Sequence, residues 1–225
     1  MTTQVSRGVI FDLDGVLVDT ADFHRQSWQH IARKLNITMT DDFFISTFGM
    51  QNDEIIPMWL QKDLPREEID TLADWKEKRY RELLAGKLTL MGGVRELLND
   101  LKENDFLLAV GSSAPRLNVE CMLSQAQALD YFNILMTGDD ISCGKPAPDT
   151  FLHAAEELSL PPNACVVVED AVQGVQAGKA AGMTVIAVTT TRKRDELTQA
   201  DIVIDSLSEL NASDFIRLLP DTLTS

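Results

Sequence analysis

Two aspartates one residue apart, Asp12 and Asp14, follow a short apolar run near the start of the chain, and Gly15 comes next. Residues 9–11 are apolar and partly β-branched, which predicts a buried strand that ends at these acids. Carboxylates buried without partners are costly, so we expect the pair to share a cation where the chain leaves the strand. One carboxylate could then act as a nucleophile while the other moves a proton.

Polar residues of the same kind follow the later apolar runs of the chain. They are Ser112 and Ser113 after residues 106–110, Lys145 in the loop after residues 134–136, and Glu169 and Asp170 after residues 165–168. Ligands of open parallel sheets bind beyond the carboxyl ends of the strands, so we expect these side chains to converge. Carboxylates suit Mg²⁺, while a lysine and a hydroxyl suit a phosphoryl group.

Each of these residues also has an ordinary structural explanation, which is the more common one when the residue is taken alone. Asp170 could cap the following helix, as could Ser112 or Ser113. Asp14 could be a turn residue before glycine, and Lys145 could be solvated in its loop. The recurrence of such residues after four successive apolar runs favours the functional interpretation.

The spacing of the apolar runs predicts an α/β fold with a doubly wound, parallel-sheet, Rossmann-like core. Further runs occur at residues 185–188 and 202–204, and most gaps are long enough for a helix. One gap of about seventy residues has helical apolar spacing throughout. We therefore predict a core domain of residues 1–19 and 89–225 and an inserted helical cap domain of residues 20–88.

The composition limits the possible partners and location. The 225 residues are 44% hydrophobic and carry a net charge of -15, which disfavours non-specific binding to nucleic acid. Three widely spaced cysteines suggest reduced thiols, and neither a signal peptide nor a spanning segment is visible. We expect a cytoplasmic monomer that binds a small phosphorylated metabolite and no membrane, with a frayed tail after Pro220.

In these motifs the chain resembles the haloacid dehalogenase-like superfamily, in the branch with a helical cap after the first strand. Residues 12–20 match its first motif, Ser112 its second, Lys145 its third, and Glu169 with Asp170 its fourth. The resemblance implies that Asp12 is the nucleophile and forms an aspartyl phosphate, and that Asp14 is the general acid and then the base. It also implies that Ser112 and Lys145 hold the phosphoryl group.

The same resemblance implies a Mg²⁺ cofactor held by Asp12, the Asp14 carbonyl, Asp170 and Glu169. Asp14 further favours phosphate esters over haloacids, because dehalogenases that resemble this family lack the second aspartate. These implied roles agree with the chemistry of phosphoryl transfer, in which Mg²⁺ and lysine stabilise charge on the transferred oxygens.

Within the superfamily, the nearest resemblance is to β-phosphoglucomutases and their phosphatase relatives. Thr20, His24 and Trp28 match positions that line the cap side of the mutase site, and Lys76 falls near a cap lysine. Packing at the hinge would equally explain His24 and Trp28. A solvated helix face would equally explain Lys76.

The departures from the mutase pattern favour a different reaction. Asn52 occupies the position of the cap arginine that grips a second phosphate, and Ala114-Pro115-Arg116 replaces Ser-Lys-Asn. Arg116 could supply part of that grip, whereas an amide cannot replace a bidentate guanidinium. We therefore predict a Mg²⁺-dependent phosphatase of small sugar-phosphate-like metabolites, with Ser113 also at the substrate. The alternatives are a β-phosphoglucomutase and a non-catalytic binding module.

Overall fold

The structure, a computed structural model, describes residues 6–219 and contains a six-stranded parallel sheet. The strands are β1 (Arg7–Phe11), β2 (Phe106–Gly111), β3 (Ile134–Met136), β4 (Cys165–Glu169), β5 (Thr184–Val188) and β6 (Ile202–Ile204). Their order across the sheet is β3-β2-β1-β4-β5-β6, so the winding direction reverses between β1 and β4. All six predicted strands are present.

Helices cover both faces of the sheet. They are α5 (Val94–Glu103), α6 (Arg116–Gln125), α7 (Asp149–Glu157), α8 (Val172–Ala180) and α9 (Ala212–Leu218). Val9 and Phe11 of β1 pack with apolar residues of α5, α6 and α9, whereas Ile10 between them packs with those of α7 and α8. This alternation places β1 between two buried layers, which explains its unbroken apolar sequence. The predicted α/β fold class is confirmed.

The long gap after β1 contains four further helices. They are α1 (Ala21–Leu35), α2 (Asp41–Thr47), α3 (Asn52–Leu60) and α4 (Arg66–Leu84). Ten buried apolar residues between positions 28 and 72 form a cluster of their own, separate from the two clusters on the sheet. Tyr80 and Leu84 at the end of α4 pack with the core instead, and the division into a core domain and a cap domain of residues 20–88 stays a prediction.

Local sequence signals set the ends of these helices. The Thr40 hydroxyl accepts a hydrogen bond from the Phe43 amide at the start of α2. Gln51 and Glu54 form a capping box at the start of α3. Asn36 ends α1 in the left-handed conformation, at φ 55°.

Two short connections join the inserted helices to the sheet, and they pair with each other. Val18 and Leu90 form an antiparallel bridge, and the Met91 amide donates to the Leu17 carbonyl at 2.9 Å. At a separate contact, Arg192 of the core donates to the Ile45 carbonyl of α2 at 2.7 Å. The inserted helices are therefore held against the carboxyl edge of the sheet.

Three further predictions concern a membrane-spanning segment, the C-terminal tail and the oligomeric state. Within residues 6–219, no helix combines the length and the apolar character needed to cross a bilayer. The predicted frayed tail after Pro220 lies outside the described residues. The monomeric state stays a prediction.

Candidate active site

The polar residues predicted after four strands meet at the carboxyl edge of the sheet, where the winding direction reverses. Asp12 directly follows β1, Ser112 follows β2, and Asp170 follows β4, the neighbour of β1. These groups line one cavity together with Asp14, Lys145 and Glu169, and side chains of α1, α3 and α4 close its other side. We call this space the central cavity. Its position at the point of reversal is the usual ligand site of open α/β sheets.

Lys145 connects the acids at the base of this cavity. Its ammonium lies 2.5 Å from Oδ1 of Asp12 and 2.6 Å from Oε1 of Glu169, and it donates to the Gly111 carbonyl at 3.0 Å. The residue is only 6% exposed, so it is not a solvated loop lysine. Burial opposes its charge, but the two carboxylates raise the pKa of Lys145 above its ordinary value and keep it protonated.

Burial raises the pKa of Asp12 to about 7, although the Lys145 ammonium lowers it. The neighbouring carboxylates of Glu169 and Asp14 add to the increase. Asp12 is thus a buried acid whose ionised form needs more positive charge than Lys145 alone provides.

Both oxygens of Glu169 already accept hydrogen bonds. Oε1 faces Lys145, and Oε2 accepts from the main-chain amides of Asp170 and Ala171 at 2.8 and 2.9 Å. Gly174 allows this placement, because a Cβ there would lie 1.8 Å from Oε1. In this arrangement Glu169 positions Lys145. The contact of Glu169 with a metal ion stays a prediction.

Asp170 does not cap α8, because Ala171 occupies the N-cap position. Its carboxylate instead accepts a hydrogen bond from the Thr191 hydroxyl and packs against Gly15, where a Cβ would lie 2.2 Å from Oδ2. Burial, followed by the charges of Glu169 and Asp12, raises the pKa of Asp170 well above its ordinary value. A small divalent cation would relieve this repulsion.

The oxygen ligands at the central cavity suit a Mg²⁺ ion that also binds water and substrate phosphate. Among the described residues, no three acidic, histidine or cysteine side chains converge as a complete metal cage. Asp12 and Asp170 nevertheless bring carboxylates to the lining of the central cavity, and the Asp14 carbonyl stays a predicted third ligand. Mg²⁺ commonly binds one or two carboxylates and completes its octahedron with water and substrate phosphate.

Asp14 has a different environment from Asp12. Its Oδ1 accepts hydrogen bonds from the Thr20 hydroxyl, from Nε2 of His24 at 3.3 Å and from the Tyr80 hydroxyl at 3.3 Å. Burial would raise the pKa of Asp14, but the hydrogen bonds from His24 and Thr20 lower it below the ordinary value. The side chain is therefore oriented by its partners, which a free turn aspartate would not be.

Lys76 determines which nitrogen of His24 carries the proton. Nζ of Lys76 lies 2.9 Å from Nδ1 of His24, and an ammonium can only donate, so Nδ1 accepts and Nε2 donates to Asp14. Burial and the Lys76 cation lower the pKa of His24, which keeps the ring neutral. Lys76 is only 2% exposed, which excludes the solvated-face explanation.

The two serines after β2 do not cap α6, because Pro115 occupies that N-cap position. Ser112 is buried at the end of β2, where its hydroxyl accepts a hydrogen bond from the Ala114 amide at 3.1 Å. Both Ser112 and Ser113 line the central cavity. They therefore line the same space as Asp12 and Lys145, where a phosphoryl group attached to Asp12 would lie.

The other predicted substrate residues, which lie in or next to the inserted helices except for Arg116 in the core, divide into two groups. His24, Trp28, Asn52 and Lys76 line the central cavity, and Thr20 is buried beside Asp14. Arg116 does not line this cavity. Its guanidinium lies 2.7 Å from Asp140 and donates to the Leu135 carbonyl. The structure therefore does not show the contact with a second substrate phosphate that was suggested for Arg116.

Several residues at the site are absent from the sequence predictions. Tyr80 comes one helical turn after Lys76, and this spacing could have placed both on one face of α4. Thr191 lies shortly after the end of β5, so the search for polar residues beyond strand ends could have included it. Phe44, Phe48 and Ile55 also line the cavity, but nothing in their periodicity separates them from core residues.

The fold and site thus define a class of Rossmann-like α/β proteins with two aspartates after the first strand and a helical insert over them. The chain matches the family described as haloacid dehalogenase-like hydrolase over residues 9–188. It is 32% identical to a β-phosphoglucomutase of Bacillus subtilis, covering 91% of each chain. It is 29% identical to the validoxylamine A 7'-phosphate phosphatase of Streptomyces hygroscopicus subsp. limoneus, covering 89% of this chain and 94% of that protein.

A solved structure agrees with this result. The crystal structure of a β-phosphoglucomutase from Clostridium difficile superposes with a TM-score of 0.87 at 28% identity, covering 95% of this chain and 97% of the other. The chain belongs to the haloacid dehalogenase-like hydrolase family. The predicted family and the predicted hydrolase class are confirmed, and relatives of both the phosphatase and the mutase kind are similar to it.

Proposed function

We propose that this protein is a Mg²⁺-dependent phosphatase of small, sugar-phosphate-like metabolites that acts through an aspartyl phosphate on Asp12. One observation carries the proposal: the two acids after β1 have separate partners, Asp12 with Lys145 and Asp14 with His24. Such a division suits two acids with different roles. The names of relatives, which include a phosphorylated carbohydrates phosphatase of Thermotoga maritima, support the substrate class.

The proposed reaction has two displacements at phosphorus. A carboxylate oxygen of Asp12 attacks, the bond from Asp12 to phosphorus forms as the ester bond breaks, and Asp14 protonates the leaving oxygen. Asp14 then takes a proton from the attacking water, the bond from Asp12 to phosphorus breaks, and inorganic phosphate leaves. The negative charge of a bound phosphate raises the pKa of Asp14 for its first role.

The surrounding residues position these groups. Lys145 holds Asp12 and faces the place where charge gathers on the phosphoryl oxygens, with Ser112 beside it. Lys76 fixes the His24 tautomer that donates to Asp14. Mg²⁺ held by Asp12, the Asp14 carbonyl and Asp170 would keep Asp12 ionised and neutralise phosphoryl charge.

A β-phosphoglucomutase is the second candidate, because of the 32% identity to the Bacillus subtilis enzyme. A mutase must bind a bisphosphate at both ends. Among the described residues that line the central cavity there is no arginine, and Asn52 bonds to Glu77. This lack of a second phosphate grip favours the phosphatase.

The test is ³¹P NMR of the purified protein with Mg²⁺ and a panel of sugar and small-metabolite phosphates. The panel includes β-glucose 1-phosphate with a trace of the 1,6-bisphosphate. Growth of inorganic phosphate is the expected result. Conversion to glucose 6-phosphate without phosphate release would identify a mutase, and no turnover of any ester would favour a binding module.

A further inference from the structure

A buried carboxylate that the proposed reaction does not use lies in the wall of the central cavity. Glu77 of α4 is 6% exposed, and its oxygens accept three hydrogen bonds from side chains. Oε1 accepts from Lys76 at 2.7 Å and from Asn52 at 2.7 Å, and Oε2 accepts from Asn118 at 2.5 Å. A buried charge with this many partners occupies a defined position in the wall.

Among the described residues that line the cavity, each lysine is already paired with a carboxylate, which leaves none of them unpaired for a second anion of the substrate. Lys145 and Lys76 are the lysine or arginine residues of its described lining. Lys145 is paired with two carboxylates at the base of the cavity. Lys76, at the cap side, is paired with Glu77.

Besides pairing with the Lys76 ammonium, Glu77 also occupies a neighbouring hydrogen-bond donor. The amide of Asn52 also lines the cavity, but its hydrogen-bonded Nδ2 points to Oε1 of Glu77. Burial would raise the pKa of Glu77, yet the Lys76 charge and the hydrogen bonds from Asn52 and Lys76 lower it below the ordinary value. Glu77 is therefore an anion that occupies both a cation and an amide that a substrate could otherwise use.

The core also holds this carboxylate in place. Asn118 belongs to α6, is fully buried, and donates to Glu77 while its own oxygen accepts from Arg81 at 2.7 Å. Glu77 and Arg81 are one helical turn apart on α4, so two residues of the cap helix grip one core residue. Rotation of the Glu77 carboxylate away from the cavity would break these bonds.

We propose that Glu77 is a specificity-determining residue that excludes substrates with a second anionic group remote from the transferred phosphoryl group. This inference rests on the proposed function and narrows its substrate class to phosphate monoesters whose remainder is neutral or cationic. Like charges placed together in a buried site repel each other strongly, which is enough to discriminate between otherwise similar esters. The nearby lining by Trp28, Phe44 and Phe48 suits the C–H face of such a remainder.

The test compares matched pairs of esters that differ in one anionic group. The pairs are glycerol 3-phosphate with 3-phosphoglycerate and glucose 6-phosphate with glucose 1,6-bisphosphate. For the wild type we expect kcat/KM to favour the neutral member of at least one pair by roughly tenfold or more, since tenfold corresponds to about 1.4 kcal/mol. Glu77→Gln should narrow this ratio by about tenfold, chiefly through a lower KM for the anionic member.

The control variant is Glu82→Gln. Glu82 lies on the same helix, is exposed and pairs with Arg79, so its replacement changes the net charge equally but away from the cavity. The ratio should not change in this variant. In Glu77→Gln, an added Lys76→Met should remove the gain, because the gain depends on the released cation.

Three results would overturn the inference: an unchanged ratio in folded Glu77→Gln, an equal effect of Glu82→Gln, or a wild-type preference for the anionic members. If Glu77→Gln does not fold, the wild-type ratios decide the inference, and ratios near one for both pairs overturn it. If no ester of any pair is hydrolysed, the proposed function fails by itself. The shift in Tm that each ester of the same pairs causes in the wild type then tests the inference. The neutral member should cause the larger shift, and the absence of any shift overturns the inference.

Discussion

The ammonium of Lys145 lies 2.5 Å from Oδ1 of Asp12, although 133 positions separate the two residues in the chain. Lys145 also bonds to Glu169, so one buried cation serves two buried acids. Both acids lie at the ends of paired parallel strands, and Lys145 reaches them from the loop beyond β3. This contact joins the nucleophile candidate to the charge that would stabilise the phosphoryl group.

Replacing Lys145 by methionine should therefore destabilise the fold as well as abolish turnover. Removal of one partner from a buried ion pair typically costs about 3–5 kcal/mol, because the other charge remains buried. The free energy of unfolding in urea measures this effect. The control is Lys179→Met, which breaks an exposed pair with Asp201 and should cost no more than about 1 kcal/mol. Equal losses in the two variants would contradict the role of Lys145.

Asp12→Asn should reduce turnover by at least roughly a thousandfold, because an amide cannot form the acyl phosphate. The Tm should stay close to that of the wild type, since the amide has nearly the same shape and can still accept from Lys145. Phosphate release by protein free of contaminating phosphatase is the measurement. Substantial remaining activity would rule out Asp12 as the nucleophile.

Asp14→Asn should affect substrates according to their leaving groups. General acid catalysis contributes about 10²–10⁴-fold, and the alcohol of a sugar phosphate needs the proton whereas p-nitrophenolate does not. We expect a large loss of phosphorylation rate for glucose 6-phosphate and a much smaller one for p-nitrophenyl phosphate, measured as the single-turnover burst. Equal losses for both esters would indicate that Asp14 is not the acid.

Mg²⁺ should raise the Tm of the wild type, and chelation with EDTA should abolish turnover. A ligand that binds only the native state stabilises it by RT ln(1 + [L]/Kd), so the Tm should rise with the Mg²⁺ concentration. Asp170→Asn should remove most of the Mg²⁺-dependent shift, because it deletes one of the two proposed carboxylate ligands. Asp205→Asn, at an exposed site bonded to Thr189 and Arg194, should retain the full shift. A shift that survives in Asp170→Asn would place the ion elsewhere.

Glu77 should make stability depend on pH in acid solution. Its folded pKa lies below the ordinary value of 4.5, so the native state binds fewer protons and stability falls as pH decreases through this range. The contribution is complete above about pH 4.5 and is lost as pH falls through the folded pKa. The difference in unfolding free energy between wild type and Glu77→Gln should therefore be largest near neutrality and shrink toward pH 3. A constant difference would contradict an ionised Glu77.

The parallel sheet and its polar edge follow from patterns that are local in sequence. Short apolar runs separated by helical segments predict buried parallel strands, and β1 and β4 are accordingly buried on both faces. The positions of Asp12, Ser112 and Asp170 at strand ends then follow from the sheet rule alone. Helical periodicity likewise predicted an insert after the first strand, without indicating how its helices pack.

The direction of individual side chains could not be predicted in the same way. Arg116 was expected near the substrate from its place after a motif, but an acidic neighbour across a loop, Asp140, holds it elsewhere. Lys76 has charged neighbours in sequence that suggest solvent, yet the helix turns it into the cavity beside His24. Such outcomes depend on which residues of distant segments lie opposite, and periodicity does not specify them.

The sequence by itself determined the α/β class, the family and the set of residues after the strands, because these depend on local apolar patterning and short motifs. Only the tertiary structure decided the environments that distinguish chemically similar groups. Only Leu13 separates Asp12 from Asp14, but one aspartate contacts Lys145 and the other His24. Glu77 became a candidate for specificity only when α4 and α6 brought it to Asn118, a contact over 41 positions. Burial and partners set the charge of each group, and both arise from packing between distant parts of the chain.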